Sequence, residues 1–440
     1  MRKDERAGRP TRRGRTALAA LAGCCAVALV ATGCGGGGDG ADGEVTLRFS
    51  WWGADERHAE TQEVIERFEA ANPGINVEGE YADWASYWDR LATNVAANDA
   101  PDIIQHEERY LREYGDRGAL LNLHEFEDVL DLSNIDELAL GGGEVDGELY
   151  GVATGVNAYG IIADPQIFEE AGVEMPDDTT WTWDDYVEIA TEITENSPDG
   201  VYGAQNYGFN EAGFNIFARQ RGESLYTEDG GIGFTQGTLA DWWELSLELQ
   251  DSGAEPGAAR SVEVESGGVD QSLIATNTGA MYHSWTNQLG VLTNTSEHEL
   301  QMLRYPRAGE DDPTGLYLKP AMYYSVSARS EHPREAAMFV DFLLNDPQAA
   351  EIILADRGLP ANLELREQIR DDLEAGDAVG AEFIEEITPG ITDAAPVPPI
   401  GAGEVVDLIK RTNEEVLFGR LTPDEAAERF MADVETAIAR

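Results

Sequence analysis

Cysteine is nearly absent. Cys24, Cys25 and Cys34 are the three in 440 residues, and all lie near the amino terminus. The body beyond them has no disulfide, no Cys-based metal site and no thiol nucleophile, so its stability must come from a buried core. Lysine is as scarce, with Lys3, Lys319 and Lys410 alone. Against 30 Lys and Arg stand 84 Asp and Glu, a formal net charge of −54. Nucleic acid is excluded as a partner, because it needs a basic footprint. An anionic membrane surface would repel such a body, and the charge favours solubility. The six histidines, His58, His106, His124, His283, His298 and His332, show no metal-ligand spacing. G-x-S-x-G, H-E-x-x-H and the phosphate-cradling P-loop are missing too. With acid this abundant, no Asp or Glu can be singled out as half of a catalytic pair, whose spacing is spatial. The HEE run at 106–108 reads as a loop or helix start rather than a metal site.

What is present begins with a leader. Arg2, Lys3, Arg6, Arg9, Arg12, Arg13 and Arg15 precede the apolar stretch TALAALAGCCAVALVAT (16–32). That stretch is short for a membrane span and suits a signal-peptide core. It ends in ATGC and runs into GGGGDGADGE. Small residues before a cysteine, then a glycine run, resemble a bacterial lipoprotein signal. The expectation is export, cleavage after residue 33, acylation of Cys34 and a linker over 34–44. LAGC at Cys24 fits the same pattern but leaves too short an apolar core before it. Arg12-Arg13 leaves the choice of export route open.

Past the linker, strand and helix patterns alternate. Val45, Leu47 and Phe49 alternate with polar residues up to Trp51 and Trp52. Val64, Ile65, Phe68 and Ala71 mark a helix that stops at Asn72-Pro73-Gly74. INVEGEY (75–81) and PDIIQ (101–105) read as strands, and Trp84, Trp88, Leu91 and Val95 lie at helical spacing. ELYGVATGVNAYGIIAD (148–164) mixes strand character with glycines. Thr182 with Asp185 three residues on predicts a capped helix. Leu239, Trp242, Leu245 and Leu249 predict another, as do Pro333 with Ala336, Ala337, Val340, Leu343 and Leu344. GAMYHSW (279–285) reads as strand into turn, and helices near 404–418 and 423–438 close the chain. The pattern implies a layered α/β architecture, and the length implies two lobes.

The aromatic residues suggest a ligand class. Sugars stack their apolar faces on aromatic rings while planar side chains satisfy their hydroxyls. Trp51, Trp52, Trp84, Trp285, Tyr323 and Tyr324 are candidates for the first role, and Gln105, Asn157, Asn210 and Asn287 for the second. Alternation points Trp52 away from the core-facing side of Trp51, towards a ligand at the strand's carboxyl edge. Asp55 either accepts sugar hydroxyls or stabilises a helix start. Arg57 either grips a substrate carboxylate or forms a surface ion pair. Trp84 packs by one edge and shows the other to the cleft. Gln105 and Glu107 follow a strand, again at a carboxyl edge. Thr154 and Asn157 lie where the chain crosses between lobes, and Trp285 follows a strand of the second. Lys319 either meets an anionic sugar or closes an ion pair. Tyr323 and Tyr324 alternate, so one of them faces the cleft.

SWWGADERH, RFEAANPGINVEGEY and ASYWDRLATNVAANDAPDIIQ, in that order, resemble the opening of family 1 extracellular solute-binding proteins of bacterial ABC importers. GALLNL (118–123), GIIADPQIFEEAG (160–172) and YLKPAMYYSVSARSEHPREAAMFVDFLLND with RGLPAN (317–346, 357–362) continue the likeness across the exported chain. The resemblance implies a two-lobe periplasmic-binding-protein-like fold of the maltose-binding type, with a hinge and an interdomain cleft. It implies lobe 1 from 45–156 plus 305–329, and lobe 2 from 157–304 plus 330–440. It also implies an oligosaccharide ligand, permease and ATPase partners, a monomer tethered outside the membrane by lipid, no cofactor and no catalysis. The opening and KP-x-x-YY are most similar to members that take up oligosaccharides, including oligouronides. The family usually carries Tyr-Asn where Ala163-Asp164 stand. It often has an aromatic just behind Gln105, where this chain reads HEE. Two other readings remain open: a cell-surface polysaccharide hydrolase or lyase, and a binding protein for a peptide or polyol.

Overall fold

The computed structural model describes residues 44–309 and 312–438; the leader, Cys34 and the glycine run lie outside them. Strand β1 (Val45–Trp52) runs on through both tryptophans because β2 (Ile75–Ala82) lies parallel beside its whole length, from Val45 opposite Ile75 to Trp52 opposite Ala82. Leu47, Phe49 and Trp51 face one way and are fully buried. A Cβ at Gly79 would fall 2.6 Å from the Trp51 ring, so the glycine is what lets the indole lie across β2. The helix Asp55–Ala71 returns over that face, burying Thr61, Val64, Ile65 and Phe68 at three- and four-residue spacing. It stops where Asn72, Pro73 and Gly74, the last with φ +105°, cannot continue it. β3 (Ile103–His106) lies parallel to β1 with all four residues buried. A short hairpin, β4 (Glu144–Val145) and β5 (Glu148–Leu149), precedes the longest strand, β6 (Val152–Ala163). Then come β7 (Tyr202–Ala204), β8 (Gly279–Trp285), β9 (Gln301–Leu303), β10 (Leu318–Val326) and β11 (Leu359–Pro360).

The main sheet has the order β2-β1-β3-β10-β6-β8-β7, with β9 and β11 also paired to β6. β6 serves two sectors in turn. Its first half pairs antiparallel with β10, from Tyr324 opposite Val152 to Leu318 opposite Ala158. Its second half pairs with β8, from Tyr159 opposite Trp285 to Ala163 opposite Met281. β11 joins at the changeover, where Gly155 and Gly358 touch back to back; a Cβ on Gly155 would sit 2.6 Å from the Gly358 carbonyl carbon.

Helices cover both sectors. The Pro333–Asn345 helix, expected with the second lobe, packs instead on the first, with the Phe339 ring 5.5 Å from Phe49 and 4.8 Å from Phe68. Tyr305, expected with the first lobe, packs on the second, 6.0 Å from Tyr159 and 5.0 Å from His283. An apolar stripe announces that a helix is covered, not which sheet covers it. On the second sector the helix Trp183–Asn196 begins with the expected reciprocal cap between Thr182 and Asp185. The helix Gln236–Ser252 buries Trp242 against Tyr207 at 4.2 Å and Phe217 at 5.2 Å. Helices Gly403–Leu417 and Pro423–Ile438 close the chain. No helix among the described residues is long and apolar enough to cross a membrane.

One buried acid sets a pH dependence. Glu255 is 2% exposed, and its carboxylate oxygen accepts a 2.7 Å hydrogen bond from the Asn206 amide, with no cation in contact among the described residues. Burial pushes its pKa up from the ordinary 4.5 to about 8. The folded protein therefore keeps a proton that the unfolded chain releases above pH 4.5. This contribution to stability is complete below that pH and is lost as pH rises through about 8. Glu255→Gln keeps a neutral group there. The unfolding free energy of wild type minus that of Glu255→Gln should fall between those pH values, by up to about 1.4 kcal/mol per pH unit. A flat difference in chemical denaturation at pH 5, 6, 7 and 8 would contradict the assignment.

Candidate functional site

At the carboxyl end of β3 the chain turns directly into the helix Glu108–Asp116. Glu107 caps it, its carboxylate accepting a 2.9 Å hydrogen bond from the Arg109 amide. The same carboxylate holds the Arg109 guanidinium at 3.0 Å. Lys319, on β10 opposite Asn157, places Nζ 3.0 Å from Glu108 and 3.8 Å from Glu107. Nζ also lies 5.7 Å from the centre of the Trp285 ring. From the second sector, Asn210 caps the helix Glu211–Arg219, accepting a 2.8 Å bond from the Ala212 amide. That cap sets Glu211 in the helix's first turn.

These groups border a narrow cavity of about 60 Å³, lined by Glu108, Arg109, Glu211, Asn215, Tyr226, Trp285, Tyr317 and Lys319 together with Ala395, Pro396 and Pro398. Trp285 also walls a second cavity of about 330 Å³, with Tyr159, Tyr207, Tyr282, Gln205, Asn206, Asn210, Gln288, Glu265 and Lys410. The two spaces meet at the Trp285 indole. Its ring stands edge-on to Tyr159 at 4.9 Å and to Tyr317 at 6.4 Å. Arg112, on the same helix as Arg109, spans the cleft, donating to the backbone carbonyls of Glu228 at 3.0 Å and Val397 at 3.4 Å.

Burial and pairing act against each other here. Burial opposes the charge of Lys319, but Glu108 and Glu107 outweigh it and hold the pKa above its ordinary value. Arg109 is likewise raised, burial being overcome by Glu107. Burial raises the carboxyl of Glu108 against the pull of Lys319, and raises that of Glu211. In the wall of the second cavity His283 lies between two phenols, with Tyr186 at 3.0 Å and Tyr305 at 2.7 Å. Burial lowers its pKa to about 3, so it is a neutral strut. Such a cleft offers ring faces, amide donors and acceptors, and cations already matched to carboxylates.

Only part of the set read from sequence converges here. Trp285, Asn210 and Glu107 do. Trp84 is 40% exposed and joins the rim through Arg109, whose guanidinium carbon lies 6.0 Å from its ring. Asn157 with Asn287 lines a separate 20 Å³ space at the β6 changeover. Trp51 is fully buried, as one reading of it required. Trp52, expected to offer its ring to a ligand, is 9% exposed and packs among Trp84 at 5.0 Å, Tyr87 at 5.4 Å and Trp88 at 5.7 Å. The helix Trp84–Ala96 covers the face on which alternation puts it. Arg57 forks onto Asp356, at 2.7 Å and 3.0 Å, rather than standing free for a substrate. Asp55 accepts from the Tyr81 hydroxyl at 3.3 Å. Thr154 donates to the Arg357 carbonyl at 2.9 Å, and Tyr323, 1% exposed, to the Gly142 carbonyl at 2.6 Å. Tyr324 is as deeply buried. Gln105 is fully buried on the helix-covered face beside Tyr324, where neither of its side-chain amide atoms has a hydrogen-bond partner among the described residues. Glu108, Arg109, Glu211, Tyr226 and Tyr317 were not expected. Lys319, one of the few lysines, was the usable signal for the first two.

A sheet whose strands feed two sectors, with a cleft of aromatic rings and amides between them, is the architecture of a two-lobed binding protein. A family profile for bacterial extracellular solute-binding proteins matches residues 54–350, and the chain belongs to that family. It is 27% identical to an extracellular solute-binding protein family 1 member from Alicyclobacillus acidocaldarius, with TM-score 0.76, covering 90% of this chain and 99% of that one. The periplasmic oligogalacturonide binding protein of Yersinia enterocolitica superposes with TM-score 0.78 at 23% identity, over 90% and 99% of the two chains. An uncharacterized lipoprotein of Streptomyces antibioticus is 24% identical over 366 residues, 79% of this chain and 77% of its own.

Proposed function

We propose that this protein binds oligosaccharide outside the cell and delivers it to the permease of an ABC importer, without chemical change. The observation that carries the reading is the pair of cavities meeting at Trp285, where Tyr159, Tyr207, Tyr282, Tyr226 and Tyr317 supply ring faces and Gln205, Asn210, Asn215 and Gln288 supply amides. The larger space is within the usual range for a ligand pocket and the smaller far below it, so a sugar chain entering past Trp285 requires the cleft to widen and reclose. The named ligand of the Yersinia protein and the family membership support the substrate class. The ATGC motif and glycine run support a lipid anchor on Cys34 at the outer face of the membrane, and the Streptomyces relative is called a lipoprotein. In this reading the protein works as a monomer, and its two lobes are the two sectors that share β6.

Thermal unfolding against neutral oligosaccharides, oligouronides, polyols and peptides tests it. At a hundredfold excess over Kd a true ligand adds about 2.7 kcal/mol, which raises the Tm of a body this large by roughly 3 °C. An oligosaccharide should give that shift and be recovered intact. Recovery of cleaved sugar would replace the binding role with a hydrolase or lyase. A shift with peptide or polyol alone would remove the carbohydrate assignment.

A further inference from the structure

We propose that the cleft selects saccharides carrying a protonated amine, with Glu211 as the carboxylate that receives it; this rests on the carbohydrate reading above. Every cation facing the two cavities is already matched. Lys319 lies against Glu108 at 3.0 Å, Arg109 against Glu107 at 3.0 Å and Lys410 against Glu265 at 2.7 Å. Glu211 is the carboxylate left over. It lines the first cavity, and among the described residues its carboxylate has no hydrogen bond or ion pair to another residue's side chain.

Its setting favours a cation. Burial raises the Glu211 carboxyl, and the helix start with Arg109, Lys319 and Lys410 only partly offsets it, so a cation in direct contact is what would favour its charge. Tyr226, Trp285 and Tyr317 line the same small space, and ring faces attract an ammonium group. A uronate would have to open the Lys319–Glu108 or Arg109–Glu107 pair and then sit beside Glu211. A neutral sugar gives Glu211 a hydroxyl donor. An ammonium group gives it a charge-assisted bond in an enclosed space, which is the stronger of the two.

Calorimetric titration of the purified full chain with three matched oligosaccharide sets, bearing an amine, only hydroxyls, or a carboxylate, tests the inference. The amine-bearing sugar should bind about tenfold tighter than its neutral counterpart, and the uronate weakest. Glu211→Gln should bring the first two within about twofold, the amine-bearing sugar losing the larger share of its affinity. Equal binding of amine and neutral sugars by the wild type, or tightest binding of the uronate, overturns this inference and leaves the carbohydrate role intact. Failure of all three sets to bind removes the carbohydrate role itself. The wild-type order is informative even if the variant folds poorly.

Discussion

Trp285→Ala should weaken oligosaccharide binding by about thirtyfold or more, the loss of roughly 2 kcal/mol that follows truncation of a central aromatic anchor. The size of the effect comes from position. The indole is the shared wall of both cavities, so its removal takes the stacking face from one and merges it with the other. It also frees Lys319, whose ammonium lies 5.7 Å from the ring, to reorient around Glu108. Trp285→Phe keeps an aromatic face and should recover most of the affinity. The indole is only half-buried, so Tm of the ligand-free protein should fall by a few degrees at most. Titration calorimetry on both variants separates the outcomes. Affinity within twofold of wild type for Trp285→Ala would place the ligand elsewhere.

Trp242→Ala should cost roughly 3–5 kcal/mol of stability, the range for emptying an aromatic site in a packed core, and lower Tm by about 4–6 °C. Trp242 is fully buried, with Tyr207 at 4.2 Å, Phe217 at 5.2 Å, Trp183 at 6.0 Å and Phe214 at 6.2 Å. These rings come from three different segments, so no single one can collapse into the void. Tyr207 also walls the larger cavity and donates its hydroxyl to the Trp242 carbonyl at 3.2 Å. The variant should therefore bind ligand more weakly even where it remains folded. Trp242→Phe, leaving a smaller void, should lose less than half as much in Tm. A Trp242→Ala protein that melts within two degrees of wild type, by calorimetry, would refute the packing argument.

The strands and helices were legible because each is a local pattern. Leu47, Phe49 and Trp51 alternate; Thr182 and Asp185 cap reciprocally; Gly279–Trp285 is a strand as read. The site was legible only where a residue type was rare or followed a strand end, as with Lys319 and Trp285. Trp52 shows the limit. Alternation gave its direction, but what covers that direction depends on a helix more than thirty residues on, whose own tryptophans are its neighbours. Arg57 shows another, since its partner Asp356 is 299 positions away. Glu211, Tyr226 and Tyr317 sit at a helix start and in irregular chain, and only the crossing of three distant segments brings them to one cavity.

β6 changes partners between Ala158 and Tyr159, so one continuous strand finishes one half of the molecule and begins the other. The halves therefore have no seam at which they could be cut. Division within β6 would leave each fragment with a raw strand edge, open to pairing with any other chain. The first half would also lack β10 and Pro333–Asn345, which return to it only after the second has been made. On a ribosome, the early half must wait for them. A reporter domain meant to sense sugar belongs in a surface loop of one half, because a graft into the shared strand would break both at once.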